Sequence, residues 1–340
     1  MVMIDFRSDT VTKPTPAMLE AMMQAIVGDD VFGEDITVNE LENKAANLFG
    51  MEAALFCPSG TMTNQIAIKV HTQPGDEVIC DELSHIYQYE GGGIAFNSGC
   101  STHLIKGNGG RITAEQVQQS INNPNDIHKA NSKLVSLENT INRAGGSCYN
   151  ILEMEAIQKV CISNNLALHL DGARLFNAIV KNNENTLQYG TIFNSISICL
   201  SKGLGAPIGS ILLGSTTFIK KARRVRKVFG GGMRQAGFLA AAGIYALDYH
   251  IQRLAIDHTH AKQIEAALEK KDFVKTILPV ETNIVIFEIS GNLTAANFVE
   301  RMKNKNILMF AISPTHVRMV LHLDITETMV QQTIDAIEKM

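Results

Sequence analysis

An aspartate and a lysine at the ends of two apolar runs carry the strongest chemical signal in this sequence. Leu166–Leu170 runs into Asp171-Gly172-Ala173-Arg174, and Ser195–Leu200 runs into Ser201-Lys202-Gly203-Leu204-Gly205-Ala206-Pro207. Ligands of open parallel sheets settle beyond the carboxyl ends of strands. One crossover separates the two residues, so adjacent or near-adjacent strands could deliver both to one cleft. The glycines after Lys202 let a bulky ligand approach the backbone, and apolar Leu200 and Leu204 favour the uncharged, nucleophilic amine. A strand-end aspartate is suited to keep a pyridine nitrogen protonated, which makes the ring an electron sink. Either residue alone reads as half of a surface ion pair; together they imply a cofactor site. A third element lies upstream, where Ala53–Cys57 leads through Pro58-Ser59-Gly60-Thr61 into a helical run from Met62. Small residues at such a turn cap a helix, and they also offer backbone N–H groups to a phosphate. Two dinucleotide lookalikes fail. Gly203-x-Gly205-x-x-x-Gly209 has one residue too many, Gly230-Gly231-Gly232 lacks a preceding strand, and no phosphate-binding G-x-x-x-x-G-K-[ST] loop is present.

The elements that must position these residues alternate short apolar runs with longer amphipathic ones, the pattern of an α/β sheet with crossover helices. Strands are expected at Ala53–Cys57, Glu77–Cys80, Thr102–Ile105, Lys133–Leu137, Leu166–Leu170, Ser195–Cys199 and Ser210–Leu213, and their apolar character predicts a buried, mainly parallel sheet. Helices are expected at Glu115–Ile121 and Ile151–Ser163, the second stopped by Asn164-Asn165. Beyond Gly237–Leu247 the texture changes. One long helix over Ile251–Lys271 is followed by strands at Asn283–Ile289 and Arg318–Leu323 and helices at Thr294–Lys305 and Thr326–Lys339. A large domain over residues 1–249 and a small α+β domain over 250–340 account for the 340 residues. A net charge of −4 gives no pull toward nucleic acid or an anionic membrane. No apolar run is long enough to span a bilayer, and an acid interrupts the first residues where a signal peptide would need an apolar stretch. The six cysteines stand singly, mostly in apolar runs, so reduced core thiols and a cytoplasmic location are expected.

Arg7-Ser8-Asp9-Thr10-Val11-Thr12, Pro58-Ser59-Gly60-Thr61-Met62-Thr63-Asn64, Leu137-Glu138-Asn139-Thr140, Asp171-Gly172-Ala173-Arg174, Ser201-Lys202-Gly203-Leu204-Gly205-Ala206-Pro207 and Gly231-Gly232-Met233-Arg234-Gln235 together resemble the low-specificity L-threonine aldolases. Those are fold-type-I, aspartate-aminotransferase-like enzymes that use pyridoxal 5'-phosphate. The resemblance implies a Schiff-base lysine at Lys202, a pyridine-nitrogen partner at Asp171 and phosphate ligands at Gly60 and Thr61. It further implies a ring-stacking histidine at His85 and a second active-site histidine at His128. Ser8, Arg174 and Arg318 resemble the group that fixes the substrate carboxylate, Arg174 with a second contact to the cofactor. Lys227 and Arg234 resemble residues that reach a neighbouring subunit's site, which implies a homodimer at least and a homotetramer by expectation. No metal ligand set is implied. Three positions depart from the family: Phe32 stands where tyrosine is commoner, Ile36 where proline is, and Ile141 where histidine is.

The reaction so implied is cleavage of threonine, or another β-hydroxy-α-amino acid, to glycine and an aldehyde, with His85 or a water beside it as base. The nearest alternative is another fold-type-I activity, a β-eliminating lyase, racemase or aminotransferase. A non-catalytic vitamin carrier has no use for a second carboxylate-binding arginine. The basic run Lys220–Lys227 reads as a solvated helix face apart from Lys227, since no aromatic ladder accompanies it to serve a nucleic acid.

Overall fold

The computed structural model describes residues 3–340. The seven expected strands form one sheet: β1 (Ala53–Cys57), β2 (Asp76–Asp81), β3 (Ser101–Ile105), β4 (Asn131–Glu138), β5 (Ala167–Gly172), β6 (Ser195–Cys199) and β7 (Ser210–Gly214). Their order is β1-β7-β6-β5-β4-β2-β3. The strands run parallel except β7, which is antiparallel to both neighbours. The reversal has a local cause. Only the turn carrying Lys202 through Gly209 joins β6 to β7, too short for the crossover that a parallel pair needs. Every residue of β2, β6 and β7 is buried, as expected for strands covered on both faces. Asn164 and Asn165 do end the Ile151–Ser163 helix, Asn165 in the left-handed region at φ 54°.

The C-terminal part is a four-stranded antiparallel sheet built from β8 (Val274–Ile277), β9 (Ile284–Ile289), β10 (Phe310–Ala311) and β11 (His316–Val320), in the order β10-β11-β9-β8. The sequence reading missed β8, a half-exposed edge strand without an apolar alternation, and the short β10. The helix expected over Ile251–Lys271 is shorter, Leu254–Leu268, because the chain turns at both ends, with Leu254 N–H donating to Ile251 and Lys271 N–H to Leu268.

The two largest apolar cores follow this division, one against the seven-stranded sheet and one formed by Phe287, Phe298, Met302, Met319 and their neighbours. Ile4 and Phe6 pack into the second core, and Ile4–Asp5 pairs in parallel with Ile307–Leu308. Phe6 is fully buried, so its truncation to alanine costs about 3–5 kcal/mol. The basic helix Thr216–Val228 is less solvated than its composition suggests. Arg226 is 2% exposed, donating to Phe56 O at 2.7 Å and to Asp30 at 2.7 Å, while Arg223 reaches Glu42 at 2.7 Å. The first contact fastens that helix to β1, and the others fasten it to the turn at Asp30 and to the Ile36–Phe49 helix.

Candidate active site

The β5–β6 pair sets the frame. Asp171 lies opposite Ser197 in parallel register, and Lys202 follows β6 after Leu200 and Ser201. The Gly60–His71 helix starts against the same strand ends. Ser59 caps it by accepting from Met62 N–H at 3.2 Å, and Thr63 Oγ1 lies 2.6 Å from Ser197 Oγ. A Cβ at Gly60 would sit 2.6 Å from Cys199 Sγ, so only glycine lets this helix approach so closely. The first-turn N–H groups of Gly60 and Thr61 lack intrahelical partners, and the positive end of the helix faces the crevice. Thr61 is exposed there.

Asp171 is 2% exposed; it accepts from Asn64 Nδ2 at 2.9 Å and from Ala173 N–H at 3.2 Å. His85 opens a short helix, its backbone N–H donating to Glu138 Oε2 at 2.8 Å and its Nδ1 facing Glu90 Oε1 at 3.1 Å. Ligand atoms of His85, Glu90 and Asp171 lie within 4.8 Å of one another. Burial pulls the His85 imidazole toward its neutral form, but the Glu90 hydrogen bond and the Asp171 charge outweigh burial and raise its pKa. Burial, reinforced by Asp171, pushes Glu138 up to about 7.

A second cluster stands beside the first. Arg174 makes a buried fork onto Asp9, with Nε to Oδ2 at 2.7 Å and Nη2 to Oδ1 at 2.6 Å. Asn142 Oδ1 accepts from Arg174 Nη1 at 3.4 Å and from Arg318 Nη1 at 3.1 Å. Arg318, on β11, also donates to Arg7 O at 3.2 Å, and its buried Nε has no partner among the described residues. Burial and the neighbouring Arg174 charge lower its pKa. Ser8 Oγ lies 3.5 Å from Asp9 Oδ1. Two guanidinium groups, Arg174 and Arg318, stand by the one Asp9 carboxylate. The cluster therefore favours an anion, and the unpartnered Nε offers it a donor.

The fold thus brings together Lys202, Asp171, His85, Gly60 and Thr61, and beside them Ser8, Arg174 and Arg318. His128 lies apart, its side chain 86% exposed and paired at 3.0 Å with Asp126 of its own turn. Lys227 is exposed over Gly232. Arg234 is 54% exposed, donating to Asp29 at 2.9 Å and lying 6.0 Å from the Phe32 ring centroid. Of the departures, Ile141 is 1% exposed and packs in the large core, so its side chain is structural here. Ile36 is the first residue of the Ile36–Phe49 helix, the position where proline is tolerated. Sequence reasoning missed Asp9, Asn64, Glu90 and Asn142 as individual contributors. Asp9, Asn64 and Asn142 lie inside or next to motifs already singled out, and Glu90 precedes three glycines.

The β-eliminating lyase family model matches residues 5–292. The chain is 44% identical over 328 residues to the low specificity L-threonine aldolase of Escherichia coli strain K12, covering 95% of each. It is 39% identical to low-specificity L-threonine aldolase 1 of Arabidopsis thaliana, over 99% of this chain and 96% of that one. The fold matches a threonine aldolase structure from Leishmania major with a TM-score of 0.87 at 22% identity, over 99% of both chains.

Proposed function

Because the chain belongs to the β-eliminating lyase family, and within it to the low-specificity L-threonine aldolases, we propose that its crevice binds pyridoxal 5'-phosphate and cleaves threonine, allo-threonine and other β-hydroxy-α-amino acids to glycine and an aldehyde. The observation that carries this reading is the delivery of Asp171 and Lys202 to one crevice by neighbouring parallel strands. The residues fit the cofactor: Gly60 brings the helix N-terminus, with its unpaired first-turn N–H groups, close against the ends of β6 and β7, Asp171 is a buried acceptor that would meet the ring nitrogen, and Lys202 would supply the amine that holds the cofactor covalently. Pyridoxal phosphate, when bound, supplies an electron sink for the bond broken at Cα.

The chain's own residues do the rest. Arg318 Nε, with Arg174 and Ser8, holds the substrate carboxylate, and this fixes which bond at Cα is exposed to cleavage. Arg174 is immobilised by its fork onto Asp9, so the clamp is set before substrate arrives. His85 keeps Nδ1 on Glu90, which leaves Nε2 to take the β-hydroxyl proton directly or through a water. In the resting arrangement Asp9 balances part of the clamp's positive charge.

The wider reading is a cytoplasmic enzyme of two domains divided near Tyr249, with six buried free thiols. It assembles as a homodimer or, by preference, a homotetramer in which Lys227 and Arg234 serve a neighbouring site. Incubation with threonine and a coupled acetaldehyde assay tests the activity: turnover is expected, and loss of threonine without acetaldehyde would assign another activity of the same fold. Borohydride reduction and peptide mapping should place the pyridoxyl group on Lys202; label elsewhere, or none, would overturn the site.

A further inference from the structure

Glu90 and Asp171 are two buried acids, 7% and 2% exposed, and both face Asn64. The Asn64 amide nitrogen donates one hydrogen to Glu90 Oε1 at 2.9 Å and the other to Asp171 Oδ2 at 2.9 Å. Glu90 is held further by Gln65 Nε2 at 2.7 Å and by His85 Nδ1. Asn64 Oδ1 faces His169 Nε2 at 3.1 Å, His169 Nδ1 faces Ser195 Oγ at 2.8 Å, and Ser195 Oγ faces His71 Nε2 at 2.8 Å. Burial pushes His169 down to about 3 and His71 down to about 4, so each is neutral near pH 7 and carries one ring hydrogen.

The donors along this chain then have one consistent direction. An amide oxygen only accepts, so the His169 hydrogen is on Nε2. Its Nδ1 is then a lone pair and accepts the Ser195 hydroxyl hydrogen. The Ser195 oxygen in turn accepts from His71 Nε2–H. A flipped Asn64 would turn its oxygen on two carboxylates, so the relay admits one amide orientation. Each link also polarises the next, which strengthens the two Asn64 donations.

We propose that Asn64, locked in orientation by His169, Ser195 and His71, is a positioning residue that seats Asp171 and Glu90 side by side, Asp171 for the cofactor ring and Glu90 for His85. The inference rests on the reading that Asp171 meets the cofactor's ring nitrogen. Without the amide, two buried carboxylates this close share a proton, and the ring loses its charged partner.

The test compares Asn64→Leu, His169→Leu and His169→Gln with the unaltered enzyme loaded with pyridoxal phosphate. Readouts are cofactor affinity and the pH midpoint of the bound cofactor's visible absorbance. Asn64→Leu should weaken the cofactor about tenfold or more and move the midpoint by about one pH unit. His169→Leu should shift both in the same direction by less. His169→Gln, whose carboxamide still donates to Asn64, should stay within about twofold of the unaltered enzyme. The cofactor-free proteins give an independent reading. In folded Asn64→Leu the shared proton raises the pair's affinity for protons above that of the unfolded chain. That contribution to stability is present at low pH and lost as pH rises. Its melting temperature should therefore fall more between about pH 5.5 and pH 8 than that of the unaltered chain. Unchanged affinity, midpoint and melting profile in Asn64→Leu would overturn the inference. If that variant does not fold, equal behaviour of His169→Leu and His169→Gln would do so. An unaltered protein that binds no pyridoxal phosphate would defeat the underlying reading instead.

Discussion

His85 and His128 belong to two regions that the fold treats differently. His85 lies in the strand-end crevice, where its ring meets Glu90, its backbone meets Glu138, and Asp171 stands close by. His128 lies on an outer turn, held by Asp126, two residues away. The same contrast separates Asp171, Arg174 and Arg318 from Lys227 and Arg234. Crevice residues are largely buried and share several partners; outer residues, where they pair, do so with a single acid and stay largely in solvent. Hydrogen bonds to buried charged groups are worth about 1.5–3 kcal/mol, and exposed ion pairs about 0–1 kcal/mol. One chain therefore preorganises the crevice, whereas the outer cations gain defined geometry only against another surface.

The largest effect should come from Lys202→Ala, which removes the covalent anchor. Turnover should fall by about three orders of magnitude or more, and borohydride should leave no pyridoxyl label. Arg318→Ala should raise KM for threonine about ten- to a hundredfold, the equivalent of one charged hydrogen-bonding group, with cofactor affinity held within about twofold. If cofactor affinity falls instead, the arginine clamp belongs to the cofactor and the boundary between the two clusters moves.

The outer cations can be tested by mixing. Lys202→Ala chains and Arg234→Ala chains, each nearly inactive alone, should regain activity on subunit exchange. Interfaces joining one of each hold one site with both native residues. No recovery after verified exchange would make the outer region solvated surface. The smallest effect concerns Glu138, whose buried carboxyl is raised to about 7. Its stabilising contribution is full below the unfolded carboxylate range and is lost as pH rises through 7. The cofactor-free protein should lose a few degrees of melting temperature across that interval, and Glu138→Gln should flatten the profile.

Apolar patterning made the large sheet legible, because strands buried on both faces read as continuous hydrophobic runs. β1 and β6 fall at the expected residues, and the other five lie within a residue or two. Edge strand β8 lacks that pattern and was illegible. Asp171 and Lys202 were legible because strand ends and glycine neighbours single them out. Asn64 and Glu90 were not: a polar residue within a helix or short loop looks solvated until its partner is known. Asn64 meets Asp171 across 107 residues and His169 across 105. Ile141, where the family commonly has histidine, shows what the sequence leaves open: here its side chain fills the core.

The parallel pairing of Ile4–Asp5 with Ile307–Leu308 imposes an order on biosynthesis. As the chain leaves the ribosome, the strands bearing Asp171 and Lys202 emerge long before Ile307. Ser8 and Asp9, made first, have no seam to hang from until that late strand emerges. Arg318, the other arginine of the clamp, follows still later, so the anion clamp is completed last although half of it was translated at the start. A nascent chain stalled before Ile307 would hold a formed cofactor crevice beside an incomplete anion clamp, a state open to chaperones and proteases.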